Sequence, residues 1–235
     1  MMYPRLPIKL IDSQLHGLNS EAELFVVEGD SASHAVAKIR HAPFQAVLPM
    51  QGKPLNAFKA REKTVRANPF FMALVDAIGT DMGESFELAR SRYQRIVLLF
   101  DPDADGIHCG TLVLLFFYRW MKPLLEGGHV IIVRPPLMEI VSDQLVKPLL
   151  AYSEEEGQRI CHDLAKQHNA RSIKKRFRGL ASLNADILVQ CCIDPTTRKA
   201  SCLTPQDAEG SIEILASMKA NVEKNAMPTS ASPEE

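Results

Sequence analysis

The chain lacks a strong charge of either sign: 27 Lys+Arg stand against 28 Asp+Glu in 235 residues, a formal net charge of -1. That balance excludes a generally basic nucleic-acid coat, so any nucleic-acid contact must come from local clusters. Long apolar runs are missing too. The longest, Leu112 to Trp120, is broken by Arg119 and is too short to cross a bilayer. The opening MMYPRLPIKL has no apolar stretch of the kind that directs secretion. Cysteine is scarce and unpaired. Cys109, Cys161, Cys191, Cys192 and Cys202 are odd in number, form no C-x-x-C and read as reduced thiols. No histidine stands at a zinc-like spacing from Cys191-Cys192, so no zinc site is expected. A nucleotide-binding G-K-[ST] is absent as well, because Gly52-Lys53 runs into Pro54. No internal repeat is present.

What is there alternates. Leu24-Phe25-Val26-Val27 reads as a strand that stops at Glu28-Gly29-Asp30-Ser31, with Ser31 placed to cap a helix over Ala32 to Arg40. Phe44 to Leu48 reads as a second strand closed by Pro49. Ile96 to Phe100 reads as a third, apolar throughout as strands buried on both faces are. A long helix is expected from about Ile107 to Leu125, ending at Gly127-Gly128, before a fourth strand, Val130 to Val133. The alternation argues for an α/β fold with a mostly parallel four-stranded sheet. Phe116, Phe117 and Trp120 sit at helical spacing and read as core. Beyond residue 145 the pattern changes. Ser153 and Glu156 have capping-box spacing for a helix toward His168. Residues 171–178 carry five basic side chains around Phe177. Ser211 to Lys224 is amphipathic, and Asn225 to Glu235 has the composition of disorder. The expected division is an N-terminal extension (1–20), an α/β domain (21–145), a small, mainly helical tail region with the basic segment (146–203), and a C-terminal extension (204–235).

The chemistry concentrates at two strand ends. Ligands of α/β sheets bind beyond the carboxyl ends of the strands. Glu28 and the run Asp101-x-Asp103-x-Asp105-Gly106 both fall there. If those strands are neighbours, four carboxylates converge. Two like charges ~4 Å apart repel by roughly 4 kcal/mol at an effective dielectric of about 20, which demands raised pKa values or a cation. All-oxygen ligands select a hard ion, and sparse carboxylates suit Mg²⁺ best. A calcium loop of the EF-hand type is excluded, because its twelfth position is Leu112 rather than glutamate and the run follows a strand. The plain alternative is a solvated turn with a helix cap. His34, beside the acids, reads more simply as a helix-surface residue than as a ligand. The basic run offers Lys174, Lys175, Arg176 and Arg178 to phosphates, and Lys53, Lys59, Arg61, Lys63 and Arg66 form a second cluster.

ELFVVEGDSA (23–32), VLPMQGKPLN (47–56), DPDADGIH (101–108), LFFYRWM (115–121), GHV (128–130) and PPL (135–137) closely resemble, in order, the Toprim region of the gyrase B subunit and its topoisomerase IV counterpart. RFRGLASL (176–183) and DPTTR (194–198) are similar to that family's later R-Y-K-G-L-G-E-M and D-P-x-[ST]-R segments. The resemblance runs from about residue 5 to 199. It implies a Rossmann-like Toprim fold with a tail region, and Mg²⁺ held by Glu28, Asp101 and Asp103, with Asp105 nearby and two ions possible. The first three would be the catalytic acids. The implied activity is DNA cleavage and religation by a tyrosine on a partner A-type subunit, in the cytoplasm at the nucleoid. Lys53, His108, Arg176 and Arg178 match positions of the family's motifs, with Lys53 close to DNA.

Departures from the family are equally specific. Ser33 and His34 replace two glycines, Gln51 a basic residue, Gly110 an arginine, Met138-Glu139 a Tyr-Lys pair, and Ser182 an acid. Altered DNA handling is therefore expected. Nothing resembles the family's ATP-binding and transducer domains, so no ATP site and no activity of the chain alone are expected. None of Tyr3, Tyr93, Tyr118 and Tyr152 lies in surroundings resembling those of a cleavage tyrosine. A free-standing product and an excised fragment both fit these strings. A non-catalytic regulator that docks on gyrase or DNA is the alternative reading, and a self-contained Toprim nuclease a third.

Overall fold

The computed structural model describes residues 6–168 and 171–214. Among them the strands are β1 (Glu23–Glu28), β2 (Gln45–Met50), β3 (Arg95–Leu99), β4 (Val130–Val133), β5 (Met138–Ser142), β6 (Leu149–Ala151), β7 (Ser172–Arg176) and β8 (Ala200–Cys202). The helices are α1 (Gly29–Ile39), α2 (Glu62–Arg66), α3 (Pro69–Ile78), α4 (Ala104–Trp120), α5 (Lys122–Glu126), α6 (Glu154–His168) and α7 (Ala185–Leu188). Residues 205–214 are helical as well.

The main sheet runs β2-β1-β3-β4-β8, its first four strands parallel and β8 antiparallel to β4. Alternate residues of β1 serve opposite faces, as strand geometry requires. Leu24 and Val26 join Leu48, Ile96 and Leu98 under α3 and α4, where Phe71 stacks on Phe116 at 4.3 Å. Phe25 and Val27 join Val47, Val97 and Leu99 under α1, with Leu180, Leu188 and Ile193 sealing that face. Both faces are covered, so the middles of the strands are apolar.

The α/β class and the parallel order agree with the sequence reading, but the sheet has five strands, not four. The fifth, Ala200-Ser201-Cys202, is short and exposed and carries no alternating apolar pattern; it pairs because the far edge of β4 is open. The tail region holds more helix than strand, as expected, but it carries strands as well. β5 pairs with both β6 and β7 in a small antiparallel sheet that draws strands from both sides of residue 145. α1 starts at Gly29, so Ser31 lies inside it rather than capping it. Pro49 continues β2 instead of closing it, which an edge strand tolerates. The long helix breaks at Met121, where α5 restarts with Pro123 in its first turn. The capping box forms at α6: Ser153 Oγ accepts from the Glu156 N–H at 3.1 Å, and the Glu156 carboxylate reaches the Tyr152 N–H at 2.7 Å. Of the expected amphipathic helix at 211–224, residues 211–214 are helical; residues 215–224, and the disorder expected over 225–235, lie outside the described residues.

The N-terminal extension is fastened to this domain. Ile11 bridges Val47 on the outer edge of β2. Asp12 accepts from the Tyr93 hydroxyl at 2.7 Å and pairs with Arg92 and His16. Burial opposes its charge, yet these partners hold its pKa down to about 2.

Candidate functional site

β1 and β3 are hydrogen-bonded neighbours, with Val27 opposite Leu99, so Glu28 and Asp101 emerge at one carboxyl edge. β2 lies on the other side of β1, Met50 beside Glu28, and delivers Lys53 to the same edge. Gly106 lets α4 begin against this turn: a Cβ there would collide with the Asp101 carbonyl oxygen. Asp103 caps α4, its Oδ1 accepting from the Gly106 N–H at 2.9 Å. The helix-cap reading and the acidic-site reading both hold for that residue.

The acids are unequal. Glu28 Oε2 is buried and has no hydrogen-bond partner among the described residues. Burial, then the charges of Asp101, Asp103 and Asp105, raise the Glu28 pKa against a smaller pull from Lys53. Asp101 is half-buried. Burial raises its pKa, as does Asp103 to a lesser degree, while the Leu180 N–H, donating to Oδ1 at 2.8 Å, pulls the other way. Asp105 is exposed and bound to Lys53 Nζ at 2.8 Å, which lowers its pKa. Cys109 lines the same hollow as Glu28, Lys53 and Asp105, and burial pushes its thiol up to about 11.

Basic residues flank the acids on both sides. Lys53 and His108 share a hollow with Asn56 and Thr111. On the other side Arg176 and Arg178 line a hollow with Asp101, Asp103 and Gly179. The rest of the basic segment is not drawn in. Lys175 pairs with Glu139 across β5 and β7 at 3.4 Å, and Lys174 is exposed with no ion pair among the described residues. Arg176 also reaches Glu154, at 2.8 Å. In the second cluster Arg66 folds onto Glu62 and Asp81. His34 is an exposed residue of α1, in keeping with the plainer reading.

Among the described residues no three His, Cys, Asp or Glu side chains are grouped to hold a metal ion between them. Mg²⁺ does not need such a cage: it keeps waters and takes one or two carboxylates together with phosphate oxygens. The unpartnered buried oxygen of Glu28, next to a half-buried Asp101 whose Oδ2 accepts no hydrogen bond among the described residues, suits that chemistry.

Two contributors escaped the sequence reading. Lys9 reaches across to Asp30 at 2.8 Å and to Gln51 Oε1 at 2.8 Å. A lone lysine in an N-terminal extension carries no signal for this. Gly179 and Leu180 press on Asp101 through backbone atoms, and only the glycine could have hinted at it.

The Toprim domain family matches residues 23–135. The chain is 38% identical over 210 residues to the DNA gyrase B subunit of Halalkalibacterium halodurans, covering 89% of this chain and 32% of that protein. It is 40% identical over 214 residues to the DNA gyrase B subunit of Thermus thermophilus (89% and 33%), and 36% identical over 196 to the DNA topoisomerase 4 B subunit of Streptococcus pneumoniae (82% and 30%). The chain thus spans about a third of the length of the curated relatives it matches. Residues 23–135 are a Toprim domain, and over most of its length the chain is similar to the Toprim region of the gyrase B and topoisomerase IV B subunits of type II topoisomerases.

Proposed function

We propose that this chain is the Mg²⁺-binding, DNA-contacting module of a gyrase-like topoisomerase, assisting cleavage and religation by a tyrosine on an A-type partner subunit. The observation that carries the reading is the shared edge of β1 and β3, where Glu28 keeps an unpartnered buried oxygen beside Asp101. Glu28 and Asp101 would hold the ion, with Asp103 beside them and Asp105 released from Lys53. Mg²⁺ bound there supplies stabilisation of negative charge on the phosphate and leaving oxygen. Arg176 and Arg178 on one side, and Lys53 and His108 on the other, are placed to bind backbone phosphates and orient the strand between them. Lys174 and Lys175 would add charge farther along the duplex. The working location is the cytoplasm, on the nucleoid, with no membrane partner; among the described residues no helix is long and apolar enough to cross a membrane. ATP-driven steps would fall to domains outside this chain.

A second reading, a non-catalytic docking or regulatory module, draws on two features: the Lys53–Asp105 ion pair, and the absence of a ready three-carboxylate cage among the described residues. A supercoiled-plasmid assay with Mg²⁺ separates the readings. Cleavage and religation only after an A-type subunit is added supports the first. Inertness with tight binding to that A-type partner supports the second, and nicking by the isolated chain supports a nuclease.

A further inference from the structure

Ser182 stands where the related subunits carry an acid, which reads in the sequence as a loss. In the fold the hydroxyl has a defined task. Ser182 Oγ donates to the Gly179 carbonyl at 2.7 Å and accepts from the Arg178 N–H at 2.8 Å, tying the 177–178 peptide group to the 179–180 peptide group across the turn. Gly179 has φ +134° and ψ 175°, a region open essentially to glycine alone. A Cβ on it would stand 2.6 Å from Asp101 Oδ2. The next residue, Leu180, is buried in the core under α1, and its N–H donates to Asp101 Oδ1 at 2.8 Å. One carboxylate oxygen is thus held by the turn, and the glycine leaves room for the other.

We infer that Ser182 is a positioning residue: its hydroxyl locks the 178–182 turn so that the Leu180 N–H fixes the orientation of the Asp101 carboxylate, leaving Oδ2 for the ion. This deepens the proposed function and rests on it for the ion, though not for the tether. The hydroxyl acts on the acid through backbone, which is why its effect is separable from any charge the side chain lacks. Ser182 is exposed, so its loss opens no core.

The test compares the whole chain with Ser182→Ala, Ser182→Thr and Gly179→Ala, using two readouts. The first is exchange of the Leu180 amide with Mg²⁺ left out; the second is calorimetric titration with MgCl₂. Ser182→Ala is expected to speed Leu180 exchange about tenfold and weaken Mg²⁺ binding about fivefold, as losing roughly one hydrogen bond implies. Its melting temperature should fall by no more than a few degrees. Ser182→Thr restores both readouts, and Gly179→Ala weakens binding further than Ser182→Ala does. Unchanged Leu180 exchange and unchanged affinity in Ser182→Ala overturn the inference. If the unaltered chain takes up no Mg²⁺ while Leu180 exchange still accelerates in Ser182→Ala, the metal reading fails and the tether stands.

Discussion

β1 carries a glutamate at each end, and the two are treated in opposite ways. Glu23, at the start, is 1% exposed yet fully partnered: Arg198 reaches its two oxygens at 2.9 and 2.5 Å, and the Gln45 amide adds a third bond at 3.0 Å. Glu28, at the finish, is less buried, but one oxygen has no partner among the described residues, and burial, then three aspartates, raise its pKa. The amino edge of the sheet is a closed network, whereas the carboxyl edge is left electrostatically incomplete. Burial alone does not separate structural from functional acids; satisfaction does.

The contrast can be broken at its strong end. Arg198→Ala leaves Glu23 buried with only the Gln45 amide and the Arg95 guanidinium at 3.8 Å for partners, and should cost about 3–5 kcal/mol of stability in a denaturant titration. A loss under ~1 kcal/mol would make the amino-edge network as dispensable as an exposed ion pair. The opposite substitution, Glu28→Gln, should leave the metal-free chain as stable or a few degrees more stable at neutral pH while abolishing Mg²⁺ binding. Its melting curve and its calorimetric titration together check that claim.

The pH dependence sharpens the comparison further. The folded pKa values of Glu28 and Asp101 are raised from their ordinary 4.5 and 3.8. The folded chain therefore holds those protons more tightly than the unfolded chain. That contribution is complete below the ordinary values and is lost as pH rises through the raised ones. Metal-free stability should thus lose this increment between weakly acidic and neutral pH, Glu28→Gln should flatten the loss, and Mg²⁺ should offset it at pH 7. The smallest effect belongs to Lys53→Ala: one fewer phosphate contact should lower the log–log salt slope of duplex binding by about 1, with little change in stability.

The strands of the main sheet were legible wherever a continuous apolar run marked burial on both faces, as in β1, β3 and β4. β8 was not, because three small, exposed residues pair for want of any other edge rather than by propensity. The sheet β6-β5-β7 was missed for a similar reason: β7 is exposed and basic, so its residues read as a charge run, although Lys175 lies opposite Glu139 across the pair. Within the site, the meeting of Glu28 with the aspartates followed from strand ends and the parallel pattern. What the letters could not show was which oxygens are taken. Asp103 caps its own helix, Asp105 is tied to Lys53, and Leu180 reaches Asp101 through a backbone N–H that has no signature in side-chain chemistry.

The carboxyl edge is tested most directly by calorimetric titration of MgCl₂ into the unaltered chain and into Asp101→Ala. A metal site at that edge predicts saturable uptake in the first and none in the second, with both chains folded by circular dichroism. Equal uptake by the two, or none by either, contradicts it.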